Sequence, residues 1–257
     1  MLTSLCFVAA FALATQNTFN WPTLEQELAK HDVPTAGVSD LDHQITSYAV
    51  FDDSDWFAIA YYWYEGSSAL PNLLRVRVYD KRGKRWKSAE LEGPWGSILH
   101  IRRAKQWWYV TGHSSKSAAP TLVLSADLRL VRELKGFAML VLPDGRVVYH
   151  DNMVHFAPAH PGSLSLYNPA TGRNVRLFPS KPDVVEGKMQ EDRFLVDRAI
   201  DEVRVGSQPN TVVFVATEQK IRLTPGGGVP EGAERRLSVT CNVDTARCSS
   251  KPLPGKH

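Results

Sequence analysis

Eight histidines are spread over 257 residues, and three of them fall in one short run. His150, His155 and His160 stand five apart, with Asp151 beside the first. Imidazole and carboxylate groups are ligands that suit zinc or copper. A histidine near its ordinary pKa can also act as a general base. The spacing argues against a metal. It matches no structural zinc pattern, and in an extended chain positions five apart point to opposite faces. These residues therefore read as polar loop histidines with backbone partners, and no metal, cofactor or catalytic residue is assigned. An acid–base role for His155 or His160 is the alternative.

Other chemical candidates weaken in the same way. Asp52-Asp53-Ser54-Asp55 opens like a calcium loop but lacks its central glycine and late glutamate, so a solvated turn is expected. The stretch from Lys81 to Lys87 is a basic hairpin tip. The net charge is only +3, so it reads as a solvated turn, not a nucleic-acid or anionic-membrane surface. Gly-x-Ser-x-Gly, His-Glu-x-x-His and phosphate-loop patterns are all missing from the sequence. Cys241 and Cys248 flank six residues centred between Asp244 and Thr245. Any in-register hairpin with that centre sets them opposite each other, at a separation a disulfide can close.

The elements that must position these groups are strands. Gly136 to Pro179 reads as one complete four-stranded unit. An apolar run meets the turn Pro143-Asp144-Gly145 and returns through Arg146 to Tyr149. Leu164 and Leu166 then alternate with Ser163 and Ser165, and a second turn precedes Val175 and Leu177. Two series of turns recur in phase along the chain. One joins an apolar strand to an aromatic strand, around Asp53, Ala104, Asp144 and Gln208. The other joins an alternating strand to a more polar one, through Asp80 to Lys84, Ala126 to Leu128, Asn168 to Gly172 and Val243 to Thr245. The chain thus predicts four copies of one unit, at 45–92, 97–135, 136–179 and 199–253. An insertion over 180–198 permits a helix, and Gly226-Gly227-Gly228 reads as a flexible loop. Before the repeats, residues 15–44 hold a short helix over Pro22 to Lys30.

Radial repetition of four-stranded meanders is how β-propellers manage their sheet edges. The expected fold is therefore all-β, a propeller of four blades, or five if terminal segments add strands; a β-sandwich is the alternative. The turn Tyr167-Asn168-Pro169-Ala170-Thr171-Gly172 resembles the strand-linking turn of many bacterial propellers, including kelch-like and quinoprotein-like ones. The resemblance covers one hexapeptide and a repeat length, and it implies architecture only. The Gly-Gly doublet of kelch and the Gly-His and Trp-Asp pairs of WD40 are missing.

In such a fold the links from second to third strands emerge on one rim. Here they run from Tyr64 to Pro71, from Gly112 to Pro120 and from His150 to Pro161, each ending in proline. Repeat position alone then gathers Glu65, His113, His150, Asp151, His155 and His160 on that rim.

Leu5 to Leu13 is apolar, and Ala12-Leu13-Ala14 supplies a small-x-small cleavage pattern, so residues 1–14 read as an export signal. The run is too short to span a bilayer, and no later stretch is long enough. A periplasmic or secreted protein without a membrane span after cleavage is expected. The leading functional expectation is a non-catalytic exported propeller that binds a partner protein or small ligand through the rim. The alternative is an exported hydrolase or lyase that uses rim histidines and carboxylates, with or without a metal.

Overall fold

A computed structural model describes residues 21–63, 73–91, 97–113, 119–151, 162–179, 194–208, 210–224 and 227–254. The helix α1 covers Leu24–Ala29. The first sheet comprises β1 (Ile45–Asp52), β2 (Trp56–Trp63), β3 (Leu74–Asp80) and β4 (Arg85–Leu91). The second comprises β5 (Ser97–Ala104), β6 (Trp107–His113), β7 (Thr121–Leu124) and β8 (Leu130–Leu134). The third comprises β9 (Gly136–Val141), β10 (Val147–Asp151), β11 (Ser163–Asn168) and β12 (Arg173–Phe178). The fourth comprises β13 (Phe194–Val205), β14 (Thr211–Thr224), β15 (Gly227–Asn242) and β16 (Arg247–Pro252). Each sheet is an antiparallel meander in chain order. A sandwich would instead merge these strands into two sheets.

Local chemistry makes the turns. Asp53 Oδ1 accepts the Asp55 and Trp56 amides. Asp80 Oδ1 accepts those of Arg82 and Gly83, and Asn242 Oδ1 those of Asp244 and Thr245. Asn168 Oδ1 accepts the Ala170 amide. Each is an Asx-type turn, in which a short side chain replaces a backbone acceptor. Gly145 sits at φ +91°, and a Cβ there would lie 2.9 Å from Trp107 Cδ1. Glycine is required at this position on both grounds.

Alternation along the strands builds the core, because it sends side chains of the second and third sheets to a neighbouring sheet on each face. Ala58, Ala60, Tyr62, Val76 and Val78 of the first sheet pack on Ile98, Ile101, Trp108 and Val110 of the second. The second sheet turns Tyr109 and Val123 to Ala138, Val147 and Tyr149 of the third. The third turns Val148, Leu164 and Leu166 to Val212, Phe214 and Val239 of the fourth. The first strands of neighbouring sheets, β1 with β5, β5 with β9 and β9 with β13, lie side by side. This is a propeller-type row of four blades with one short helix.

The far face of the first blade is covered by the N-terminal segment. Phe57, Ile59 and Tyr61 pack against Leu24, Leu28, Val33 and Val38. Asp40 is buried beneath this contact, where it accepts hydrogen bonds from Tyr61 and Arg77.

Several expected boundaries move. The helix starts after Thr23, whose hydroxyl accepts the Gln26 amide while Gln26 reciprocates, so a capping box sets its start. The hairpin around Ala104 closes in the two residues Lys105 and Gln106, because β5 runs through Ala104. His150 and Asp151 belong to β10 and not to a link. Phe194 to Arg198, read as part of a helix-permitting insertion, are strand residues paired with Arg222 to Glu218. Gly227 and Gly228, read as loop, pair with Thr224 and Leu223. Residues 1–14, read as an export signal, and 180–193 lie outside the described residues.

Cys241 and Cys248 are cross-strand partners on β15 and β16 and form a disulfide. No helix among the described residues is long and apolar enough to cross a membrane.

Candidate functional site

Contacts between turns show that neighbouring blades run the same way. The Tyr109 hydroxyl donates to the Gly145 carbonyl. Arg146 Nη1 donates to the Val243 carbonyl at 3.1 Å and to Asp244 Oδ1 at 2.8 Å. The tight turns of adjacent blades therefore meet at one end. The links 64–72, 114–118 and 152–161 leave from the opposite end, where β2, β6 and β10 stop.

At this link end, His113 closes β6, and His150 and Asp151 close β10. Glu65, His155 and His160 lie outside the described residues. Register turns the two placed histidines to different interfaces. His113 follows Thr111 by two positions, and Thr111 Oγ1 meets Thr121 Oγ1 on the face toward the third blade. His150 pairs with Leu164, which packs toward the fourth. A Cβ on Gly162 would lie 2.7 Å from His150 Nε2, so the imidazole is packed against bare backbone. Among the described residues, no three of His, Cys, Asp and Glu are grouped so as to hold a metal ion.

Beneath the links lie polar groups that the sequence reading missed. Thr121 Oγ1 donates to the Gly136 carbonyl at 2.8 Å and accepts the Ala138 amide at 3.0 Å, and this small network is fully satisfied. Tyr62, next to the end of β2, is 5% exposed, and among the described residues its hydroxyl has no hydrogen-bond partner. Burial pushes its phenol well above the ordinary value. His100 on β5 stands edge-on to Phe137 at 5.1 Å, with Nε2 buried and unpartnered among the described residues. Burial, reinforced by the Arg102 charge, lowers its pKa to about 4, against an opposing hydrogen bond to the Ala138 backbone. Farther out, the Arg75 guanidinium lies 3.0 Å above the Trp63 ring centroid, and His43 stacks on the same ring at 4.2 Å. The signal for Tyr62 was available, as a phenol in an apolar run. His100 was hidden by a bulge between Ile98 and His100 that changes which face it takes.

The turn end carries a concavity. A notch of about 490 Å³ opens between the first and second blades, lined by Trp56, Arg103, Lys105, Gln106, Trp108 and Ala126. The Arg103 guanidinium sits 4.4 Å from the Trp56 centroid and 5.5 Å from that of Trp108.

No protein-family model matches the chain. No curated protein sequence matches it. Similar solved structures include the tricorn protease, at 8% identity and a TM-score of 0.37. That match covers 81% of this chain but spans only 27% of the protease chain. A glycoside hydrolase matches at 11% identity and a TM-score of 0.29, over 91% of this chain and 83% of its own. A glycoside hydrolase family 43 enzyme from Xanthomonas citri matches at 9% identity and a TM-score of 0.30, covering 91% and 94%. No activity is transferred from likenesses this distant.

Proposed function

We propose that the protein is an exported, non-catalytic propeller that binds a ligand or partner protein through its link end. The observation that carries this reading is the common exit of three links from three neighbouring, fully paired meanders. A rigid scaffold that presents several loops at one end is the usual arrangement for recognition. Glu65, His113, His150, Asp151, His155 and His160 are the side chains we place at that surface. The Cys241–Cys248 disulfide supports export, since such bonds persist in oxidising compartments.

The test replaces 64–72, 114–118 and 152–161 with glycine-serine chains of equal length. Binding is then measured against a panel of purified envelope glycans and envelope proteins. Binding by the parent that is lost in the replaced protein, at unchanged melting temperature, supports the reading. Binding that survives all three replacements removes it. Turnover of a panel glycan that disappears in His155→Ala or His160→Ala would replace binding with catalysis.

A further inference from the structure

We propose that the notch between the first and second blades is a binding site for a small organic carboxylate. It lies at the turn end, away from the links, so it stands or falls apart from the reading above.

Arg103 is the centre of the notch's charge. Its guanidinium carbon lies over the Trp56 ring and close to Trp108. Those indoles meet edge to face at 6.2 Å, and Phe51 backs Trp108 edge-on at 5.5 Å. Trp108 is 1% exposed, so the wall behind the cation is part of the core and keeps its shape. A guanidinium held over a ring by cation–π attraction still has N–H donors to give to another group. Burial depresses the Arg103 pKa, so the charge has already lost part of its hydration. A partly desolvated cation gains most from a counter-charge.

Among the described residues, no carboxylate pairs with it at salt-bridge distance. Several other cations at this end are engaged: Lys81 with Asp52, Arg82 with Asp55 at 2.7 Å, Lys87 with Asp127 at 2.7 Å and Arg146 with Asp144 at 2.6 Å. Among the described residues, neither Arg103 nor Lys105 forms an ion pair. Asp53, Asp55 and Asp80 act on Arg103 through space, yet each is committed elsewhere. Asp53 holds the Asp55 and Trp56 amides, Asp55 holds Arg82, and Asp80 holds the Arg82 and Gly83 amides.

Lys105 and Gln106 extend the donor set. They form the exposed two-residue turn after β5, with Lys105 at φ +52°. A guanidinium fork, an ammonium and an amide lining one notch suit a planar, bidentate anion. That shape is a carboxylate. The volume exceeds what the carboxylate alone needs, and the remaining wall is made by Trp56, Trp108 and Ala126, so the ligand carries a ring-sized organic body.

The experiment is calorimetric titration of the intact protein with benzoate and with glucuronate. Benzyl alcohol and glucose are the neutral counterparts, and inorganic phosphate is the non-planar anion. The expected result is saturable binding of at least one carboxylate, with a dissociation constant of roughly millimolar or tighter. The matching neutral compound and phosphate bind measurably more weakly. Arg103→Gln weakens binding about tenfold or more, as loss of a charge-assisted pair requires. Arg103→Lys, which keeps the charge without the fork, recovers only part. Lys105→Asn, at an exposed left-handed position that asparagine tolerates, weakens it by a smaller factor. If Arg103→Gln fails to fold by circular dichroism, Lys105→Asn decides. The proposal is overturned if neither carboxylate saturates up to about 10 mM. It is equally overturned if phosphate binds as tightly as the carboxylate, or if the folded variants bind like the parent.

Discussion

The Tyr61 hydroxyl donates to the Asp40 carboxylate, and through it the N-terminal segment is bound to the first blade. Arg77 completes the knot, donating from Nε to the Tyr61 oxygen at 2.7 Å and from Nη2 to Asp40. Asp40 and Arg77 are both nearly buried, at 5% and 12% side-chain exposure. Removing one partner of such a pair leaves a buried charge without compensation.

Asp40→Ala should therefore cost about 3–5 kcal/mol, and Tyr61→Phe about 1–2 kcal/mol, in urea unfolding. Exchange of the amide protons of Leu24 to Leu28 should quicken in the same variants. An Asp40→Ala loss no larger than that of Tyr61→Phe would mean that water reaches Arg77 and the knot is not sealed.

His100 gives a pH signature. Its folded pKa is lowered to about 4 from an ordinary 6.5, mainly by burial and then by Arg102. Between those values the unfolded chain binds a proton that the folded protein excludes. Stability from this group is thus full above 6.5 and lost progressively as the pH falls toward 4. Urea midpoints measured across that window should fall less steeply with acid for His100→Gln than for the parent. Parallel curves would place His100 in a wetter setting than its contact with Phe137 implies.

Arg198 and Glu218 are cross-strand partners within the fourth blade, and Arg198 also reaches the third. Arg198 Nε and Nη2 both reach Glu218 Oε1 at 2.9 Å. The same guanidinium lies 5.2 Å from the Phe178 ring centroid and 3.4 Å from the Gly162 carbonyl. Glu218→Ala should cost about 3 kcal/mol or more, while the double change Arg198→Met with Glu218→Met should cost less than that single change. A double variant weaker than the single one would show that the arginine contributes chiefly through its other contacts.

The disulfide closes a hairpin of seven residues' separation in which Cys241 is fully buried. Replacing both cysteines with alanine should lower stability by on the order of 2–3 kcal/mol through loop entropy. Circular dichroism should stay unchanged, since β15 and β16 also pair through Leu237 to Asn242. Loss of the fourth sheet's signal would assign the bridge a role in forming the hairpin and not only in stabilising it.

Particular residues mark how far the sequence could be read. Pro143-Asp144-Gly145 and Asn168 to Gly172 announced their turns, and Gly145 and Gly172 adopt positive φ there. Leu164 and Leu166 announced a strand, and both are buried. By contrast, Gly227 and Gly228 resembled a loop yet belong to β15, because pairing to Leu223 and Thr224 outweighs weak strand propensity. The histidines that stood out by spacing fall partly outside the described residues. Arg103 and Trp56, which line the notch, did not stand out at all.

The sequence alone determined what depends on neighbours a few residues apart: the turn side chains, the period-2 strands, the order of strands within each blade and the facing cysteines. Those features rest on short-range hydrogen bonds and on alternation, and both are written locally. The tertiary structure decided which faces meet. It laid the N-terminal segment on the first blade, set Arg103 over Trp56, turned His113 and His150 to different interfaces and buried His100 against Phe137. These contacts join residues from separate strands and often separate sheets. A one-residue bulge, such as the one beside His100, is enough to redirect them.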